Sequence, residues 1–588
     1  MYLGMNISHD ASAAIVNTEG MVLSAISEER ISRVKNHVGL PIDSIMLMLD
    51  KYKDIEKIVI GTFDDLSLGD AQRLIANLRN NPSNPKGSWN DPFPGFKNSS
   101  EKNFVSSNPK VMIENVFKEI FADYAIDFPE VIWVNHHEAH LGCALGISDI
   151  RPTLLFSLDG EGDGESGAIA ISNNKQFEVL KRISKFDSLG HLYSAVTRRY
   201  NFKAGKHEGK ITGLAAYGEY SSACETLLQY VSVVDGLPKI HLVKNLADRL
   251  IQKNRRFFGL SRSALNSLEE IVSMAELETK NYADLAFAIQ DILEKSVLEI
   301  IDFWTKRHQI FDLSFAGGVF ANVKLNQKIS EMKDVNSVRI FPNMGDGGLS
   351  IGGIWRFLSY TNKLTNSKML GELYLAPENS DQDLAILNMI MKNPMYLVQE
   401  NSIDNLARSC ANDIENGLVV ALHQGAMEFG PRALGNRSML ADPRNVDIVK
   451  VLNERLRRTE FMPFAPVVLA EDADLYFELP NDLQPFEYMT MTCNVRKQFH
   501  NVLPAITHID GTARPQLVGL ESNNLIRKIL LNFKAISGLP ILVNTSLNIH
   551  EEPINYLLND SIYALEKNAF DILYYKNYRI SMRNIKNV

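Results

Sequence analysis

Two segments of the chain follow one plan, and that repetition limits the available folds more than any other feature. Residues 2–7 and 13–16 are apolar-rich and flank the polar turn SHDAS, and 21–26 continues in the same style, so the region reads as a strand-turn-strand meander. About 150 residues later, 153–171 repeats the plan as TLLFSL, DGEGDGESG and AIAI. Two hairpins of apolar strand, Asp/Gly-rich turn and apolar strand point to an internal duplication of nucleotide-binding halves. With 588 residues, 45% hydrophobic and 22% charged, the chain is too long for one core and has the composition of a folded multi-domain protein. Disorder and small disulfide scaffolds are excluded.

The rest of the chain fills in this plan. Residues 283–308 place Leu285, Ile289, Ile292, Val297, Ile300 and Trp304 at helical spacing and run into the strand-like IFDLSFAGGV. Helix, strand, Gly-Gly turn and a further helix at ANVKLNQKISEM form an α/β signature. Residues 79–109 are rich in Pro, Gly, Asn and Ser and form no regular element. The segment is either disordered or a lid anchored by Trp89, Phe93 and Phe96. A polar stretch at 361–370 reads as a linker, and GLVVALHQG, MPFAPVVLA and GLPILVNTS beyond it belong to a second, β-rich domain. No apolar run approaches the ~18 to 20 residues of a membrane helix, and the N-terminus lacks a secretory pattern. The four cysteines form no CxxC, so neither a disulfide framework nor a thiolate zinc site is expected and a cytoplasmic location is.

Three groups of residues carry chemistry. In His136-His137-Glu138-Ala139-His140, a helix would set His136 and His140 at i,i+4 on one face, able to share a metal. The zinc-protease pattern HExxH is absent. Asp159 and Asp346, each in a Gly-rich turn, are the carboxylates that would complete a site for Fe(II), Mn(II) or Zn(II). The plain structural alternative is three surface or capping histidines. The second group is the Gly-rich turns at Gly160-Glu161-Gly162, Gly317-Gly318 and Gly345–Gly348, where backbone amides can approach phosphate oxygens. No P-loop or strand-GxGxxG-helix unit accompanies them. The third is His9, which in the turn of the first hairpin is placed to take a proton from a substrate hydroxyl.

A net charge of −9 argues against a partner held by phosphate-backbone electrostatics, so no nucleic acid is expected. Within that acidic balance, Arg432, Arg437, Arg444, Arg457, Arg458 and Arg514 cluster in the second domain. Guanidinium forks bind phosphate or carboxylate bidentately, so the clustering suggests a small anionic ligand.

The segments GMNISHDASAAIV, SEERISRVKNH, NHHEAH, SLDGEGDGESG, AGGVFANVKLN, MGDGG, GPRALGNRSMLADPR, FMPFAP, THIDGTARPQ and NTSLNIHEEPI, taken in order, resemble the O-carbamoyltransferases of nodulation-factor and antibiotic biosynthesis. The resemblance runs from about residue 2 to 558. It implies an actin/hexokinase/Hsp70-like ATPase superfold with duplicated halves over 1–365, with 79–109 as an insert, and a YrdC-like domain over 371–588. It further implies that carbamoyl phosphate and ATP, with Mg, give carbamoyl-adenylate in the second domain, and that the first domain transfers the carbamoyl group to a small-molecule hydroxyl.

Carried over by motif, His136, His140, Asp159 and Asp346 would hold Fe(II), and His9 would be the general base. Gly160, Glu161, Gly162, Gly317, Gly318 and Asn322 would contact the adenylate, and Lys35 would face the acceptor. Arg432, Arg437, Arg457, Arg514, Asn544 and Ser546 would bind ATP or carbamoyl phosphate. The chain departs from the family at 457–466, where RRTEFMPFAP is one residue shorter than the KxRExFRPFAP of many relatives and lacks its lysine; Arg457 stands in for that charge. NTSLN likewise replaces the more usual NTSFN. Two other readings stand beside this one: carbamoyl or threonylcarbamoyl modification of tRNA, and a non-enzymatic ATP-driven conformational switch. A homodimer stays open as the assembly.

Overall fold

A computed structural model describes residues 1–7, 9–62, 67, 71–75, 106–241, 262–364, 369–457 and 462–583. Most of the 79–109 segment, with Trp89, Phe93 and Phe96, lies outside the described residues, as do Arg458 to Phe461 and part of the 361–370 linker. The chain divides into two compact units, Met1–Gly371 and Glu372–Val588.

Unit 1 contains two five-stranded sheets of one topology. In the first, β1 (Tyr2–Asn6), β2 (Ser12–Val16) and β3 (Val22–Ser27) form an antiparallel meander, and β4 (Lys57–Ile60) and β5 (Glu130–Trp133) add in parallel on the far side of β1. In the second, β6 (Thr153–Gly162), β7 (Glu165–Asn173) and β8 (Gln176–Ser184) repeat the meander. A small hairpin of β9 (Val231–Val234) and β10 (Leu237–Ile240) stands apart, and β11 (Asp312–Ala316) and β12 (Ser337–Ile340) then complete the second sheet in parallel beside β6. Ordered by position, the sheets read β3-β2-β1-β4-β5 and β8-β7-β6-β11-β12. The expected fold class is thus the one found, a duplicated α/β half of the actin/hexokinase/Hsp70 kind. The strands β1, β2, β4 and β11 are buried almost throughout, as sheets covered by crossover helices require, whereas β5 and β8 at the sheet edges are partly exposed. One detail differs from the sequence reading: DGEGDGESG is mostly strand, because β6 and β7 continue through it and leave only Asp163-Gly164 to turn, both at positive φ.

Each half ends in a helix after its fifth strand, His136–Ile147 in the first and Leu349–Tyr360 in the second. These two helices pack at backbone distance. A Cβ on Gly142 would sit 2.1 Å from the carbonyl oxygen of Gly352, and one on Gly352 would sit 2.1 Å from that of Ala139. The second helix also lies on β1, where a Cβ at Gly4 would stand 1.8 Å from the Ser350 carbonyl oxygen. Cys143 and Trp355 are fully buried beside the crossing.

Unit 2 is built on an eight-stranded sheet. Its strands in chain order are β13 (Tyr396–Glu400), β14 (Val420–His423), β15 (Arg437–Ala441), β16 (Ala465–Leu469), a separate three-stranded sheet of β17 (Phe477–Glu478), β18 (Cys493–Val495) and β19 (Thr512–Ala513), then β20 (Gln516–Val518), β21 (Ile541–Ser546), β22 (Ile572–Tyr575) and β23 (Tyr578–Met582). The large sheet runs β13-β23-β22-β14-β15-β21-β16-β20. Helices Ile403–Glu415 and Asn524–Ser537 bury apolar stripes beside it.

The helix crossing in unit 1 generates a stability prediction. Gly352→Val sets methyl groups against a backbone carbonyl that cannot move aside, and is expected to cost about 3 kcal/mol. Gly209→Ala, where a Cβ meets nothing within 4 Å, is expected to stay within about 1 kcal/mol of the parent. Chemical denaturation of the two variants checks the contrast, and equal stability would show that the crossing is loose.

Candidate active site

The first turn of the helix His136–Ile147 is fixed from both sides. Asn135 caps it by accepting from the Glu138 amide at 3.1 Å, and the Asp163 carboxylate accepts from the His136 amide at 2.8 Å. The i,i+4 spacing then sets His136 and His140 together, with ring centroids 4.8 Å apart and planes at 76°. The intervening residues turn elsewhere. The His137 Nδ1 lies 2.9 Å from the Ser157 hydroxyl, and Glu138 is held by Arg182 and by Arg356 Nε at 2.6 Å. All three histidines are buried, unlike the surface or capping histidines of the structural alternative.

Two carboxylates meet this pair. Asp159 stands near the end of β6, its Oδ1 accepting from the Gly160 amide at 2.6 Å, and Asp346 opens the turn that leads into the helix Leu349–Tyr360. His140 Nε2 is 3.1 Å from Asp159 Oδ2 and 3.4 Å from Asp346 Oδ1; His136 Nε2 is 4.0 Å and 3.7 Å from the same atoms. One ligand atom from each of the four residues lies within 4.8 Å of the others. Small residues make the space: a Cβ at Gly162 would stand 2.2 Å from the His136 ring, and one at Gly318 2.9 Å from Asp159 Oδ1.

Burial and the mutual charges of the four side chains govern the electrostatics of this cluster. Burial penalises every charge, and it lowers His136 well below the usual imidazole range, helped by the neighbouring histidines. At His140 the two carboxylates outweigh burial and raise the pKa, while Asp159 is held down by His140 against the effect of burial. Asp346 is raised, by burial first and by the charge of Asp159 as well. His140 Nε2 and Asp159 Oδ2 are both buried and neither makes a hydrogen bond of good geometry. Two imidazole nitrogens and two carboxylate oxygens in this arrangement suit a divalent transition metal.

His9 belongs to the same region. Asn6 donates to the carbonyls of His9 at 2.7 Å and Asp10 at 3.1 Å, holding Asp10 at φ 51° in the tight turn after β1. Ser12, which starts β2, donates to the Gly347 carbonyl at 2.8 Å and so ties the His9 turn to the turn of Asp346. His9 Nδ1 lies 2.8 Å from Asp10 Oδ2, and Asp10 Oδ1 in turn accepts from Asn36 at 3.1 Å. Burial works against a charged His9, but the Asp10 hydrogen bond and the charges of Asp10 and Asp346 outweigh it and raise the pKa to about 9. Lys35 is exposed on the loop that carries Asn36.

Of the expected adenylate contacts, Gly160, Gly162, Gly317 and Gly318 surround Asp159 and His136. Gly317 has φ +103° and a Cβ there would meet the Leu158 carbonyl oxygen at 2.2 Å. Glu161 is engaged with Lys185 at 2.9 Å and His191 at 3.3 Å. Asn322 caps the helix Val323–Ser330 through the Leu325 amide and exchanges hydrogen bonds with Gln290 at 2.7 and 3.2 Å.

In unit 2 the expected set divides between the two faces of the sheet. Asn544 pairs with Leu440 and Ser546 with Ser438, so both side chains share one face. Asn544 Nδ2 donates to Gln516 at 2.7 Å and to the carbonyl of Ala433 at 3.1 Å, which brings in the chain beside Arg432 and, two residues before Gln516, Arg514. Arg437 pairs with His423 on the opposite face, where its buried guanidinium donates to the carbonyls of Gln424 at 2.6 Å and Asn436 at 3.0 Å. The structure therefore does not place Arg437 with Asn544 and Ser546. Arg457 is exposed at φ 58°, at the edge of the described residues.

Residues 1–354 match the family described as Carbamoyltransferase N-terminus and 411–582 match Carbamoyltransferase C-terminus. The chain belongs to the carbamoyltransferase family. It is similar to nodulation protein NolNO of Sinorhizobium fredii, 29% identical over 98% of this chain and 79% of the relative. It is also similar to nodulation protein NolO of Bradyrhizobium diazoefficiens, 32% identical over 73% and 75%, and to an uncharacterized protein of Methanocaldococcus jannaschii, 28% identical over 99% of each. Among solved structures it is similar to T. kodakarensis HypF, with TM-score 0.29, 14% identity and coverage of 63% of this chain and 48% of that one. A ROK family protein from Streptococcus pneumoniae in complex with sucrose gives TM-score 0.27 at 10% identity, covering 62% and 99%. These structural scores carry no functional argument. Family membership makes the chain a transferase, which sets aside the non-enzymatic switch. Among the described residues no helix is long and apolar enough to cross a membrane.

Sequence reasoning about this carbamoyltransferase singled out Ser8-His9-Asp10 without giving Asp10 a role, and missed Asn6 and Gln516. Asp10 was findable, since it adjoins His9 and a carboxylate beside a candidate base is the usual orienting partner. The His9–Asp10 pair yields a prediction. By histidine-selective NMR, His9 is expected to titrate near 9, and in Asp10→Asn, which removes the raising charge and leaves burial, at least about one unit lower. An unchanged midpoint would mean that Asp10 does not control His9.

Proposed function

We propose that this carbamoyltransferase is an ATP-dependent O-carbamoyltransferase: it forms carbamoyl-adenylate from carbamoyl phosphate and ATP in unit 2 and transfers the carbamoyl group to a small-molecule hydroxyl in unit 1. The observation that carries the reading is the convergence, around one spot, of a four-ligand cluster and a His–Asp pair joined to it through Ser12. Family membership supports the carbamoyl group as the cargo, and the resemblance of the motifs to O-carbamoyltransferases makes a hydroxyl acceptor the expected one. In unit 2, which the resemblance reads as YrdC-like, Arg432, Arg514, Asn544 and Ser546 are the residues proposed to bind the anionic donors; nothing in the comparisons supports tRNA as the acceptor.

A carbamoyl group is a poor electrophile until it sits on a good leaving group, and the mixed anhydride with AMP supplies one. In the transfer step the acceptor oxygen bonds to the carbamoyl carbon, the bond from that carbon to the AMP phosphate oxygen breaks, and the hydroxyl proton passes to His9. Asp10 holds Nδ1, so Nε2 is the nitrogen offered to the acceptor. Because His9 is protonated at neutral pH, the fraction able to accept a proton grows as pH rises, and the transfer rate is expected to rise with it up to about 9. His136, His140, Asp159 and Asp346 would hold the metal, with Fe(II) the proposed ion and Mn(II) or Zn(II) the alternatives. A divalent cation there supplies Lewis acidity toward carbonyl and phosphoryl oxygens.

Mass spectrometry of reactions with ATP, Mg and carbamoyl phosphate tests the two steps apart. Arg432→Ala and Arg514→Ala are expected to lose carbamoyl-adenylate formation by about 100-fold or more, whereas His9→Ala is expected to form it and fail in transfer. Full activity in both arginine variants would remove those residues from the site. Metal content gives an independent reading: the parent reconstituted with Fe(II) is expected to retain one ion per chain after desalting and His140→Ala none. Retention of stoichiometric metal by the variant would refute the ligand set.

A further inference from the structure

The acceptor itself is only a hydroxyl compound so far, but the surroundings of His9 say more about its charge. The turn Lys203–His207 lies across from His9 Nε2: a Cβ on Gly205, at φ +76°, would be 3.9 Å from that nitrogen. The turn is a built feature. The amides of Lys206 and His207 donate to the Lys203 carbonyl at 3.2 and 2.9 Å, and the Gly205 amide donates to Glu208, which also accepts from Ser194 at 2.7 Å. The backbone of Lys206 is therefore held at a fixed place on the rim, its side chain is exposed, and its charge acts on both His9 and Asp10.

The carboxylates that flank this rim are already engaged. Asp10 is paired with His9 and Asn36, Glu29 with the Asn36 amide at 2.6 Å and with Arg30 at 2.9 Å, and Glu208 with the turn itself. No carboxylate among the described residues lies within ion-pair reach of the Lys206 ammonium. Lys203 lies on the same turn, and Arg33 and Lys35 lie on the loop that carries Asn36. In a chain of net charge −9, an ammonium beside the proposed base with no carboxylate of the described residues in ion-pair reach is a place where a small anion is favoured.

We propose that Lys206 binds an oxyanion on the acceptor, so that the hydroxyl compound carbamoylated here carries a phosphate or carboxylate within a few ångströms of the reacting hydroxyl. The inference rests on the reading of His9 as the transfer base. The hydroxyl faces Nε2, the oxyanion reaches across to the ammonium, and the two contacts together orient the acceptor. Lys206 is a specificity residue, acting on binding and orientation and taking no part in proton transfer.

Two measurements test it. In the first, glucosamine is paired with glucosamine 6-phosphate, and galactose with galacturonate, as acceptors in the presence of ATP, Mg and carbamoyl phosphate, with carbamoyl gain read by mass. The anionic member of a pair is expected to be preferred by about tenfold or more in kcat/KM, Lys206→Ala to lose that preference through KM, and Lys206→Arg to keep it. Preference within one pair only identifies which oxyanion is used. Equal use of neutral and anionic members, or loss of both alike in Lys206→Ala, overturns the inference. The second measurement needs no turnover. With AMP saturating, inorganic phosphate is expected to shift the His9 NMR resonance in the parent and in Lys206→Arg but not in Lys206→Ala. A parent without the shift, or a shift that persists in Lys206→Ala, overturns the inference as well. Failure of the parent to make carbamoyl-adenylate would instead count against the proposed function, and the phosphate titration still decides the role of Lys206.

Discussion

The close crossing of the helices His136–Ile147 and Leu349–Tyr360 is the contact on which the rest of unit 1 depends. At Gly142 and Gly352 the two backbones approach to a distance that no side chain permits. That proximity is what allows a ligand pair on the first turn of one helix to meet a carboxylate in the turn before the other. Widening the crossing would move His140 away from Asp346. The Cys143 thiol, which donates to the Gly348 carbonyl at 3.2 Å, and Trp355, which donates to the Gly20 carbonyl at 2.8 Å, anchor the same seam from inside the core.

Duplication explains why the site sits there. Each half contributes groups from its first hairpin and from the entry of its terminal helix. The first half gives His9 from the hairpin and His136 with His140 from the helix; the second gives Asp159 and Asp346 from the corresponding places. Structurally equivalent positions have thus diverged in chemistry, bases and imidazoles on one side and carboxylates on the other. The duplication alone sets a place where four chain segments converge, and the residue types decide what that place does. Ser12, the first residue of β2, crosses from one half to the other through the Gly347 carbonyl and Ser350 hydroxyl, 2.8 and 2.9 Å away, so the two hairpin and helix pairs are registered to each other.

Much of this was legible in the sequence because its signals are local. The HHEAH run on a helix fixes which imidazoles share a face, and the repeated apolar-turn-apolar plan announces the two sheets. What was not legible depends on facts that appear only after folding. Asn322 sits in a Gly-rich motif, yet its side chain is taken up as a helix cap, since Asn competes well for orphan amides. Arg437 stands in the same motif as Arg432, and the side it faces depends on where β15 begins; a strand reverses face at every residue, so a shift of one position in register sends a guanidinium to the other side of the sheet. DGEGDGESG looks like a long turn by composition, but pairing between β6 and β7 is maintained through most of it because glycine neither fills nor forbids the extended conformation.

The net charge shows the same lesson at a larger scale. A value of −9 describes the average surface and says that the chain repels polyanions at a distance. The site is organised by separation of charge over a few residues. The carboxylates are drawn inward, two toward the imidazole pair and one toward His9, and each is committed there. The lysines of the 203–207 turn stay outside with no carboxylate assigned to Lys206. An exposed ammonium beside the His9 ring favours one orientation of a small molecule with a neutral hydroxyl and an anionic arm. Electrostatics at this range act on orientation more than on overall affinity, because exposed charges are screened within about 8 to 10 Å in physiological salt. The unpaired lysine beside an already satisfied His–Asp pair is therefore informative in a way that the sum of charges is not.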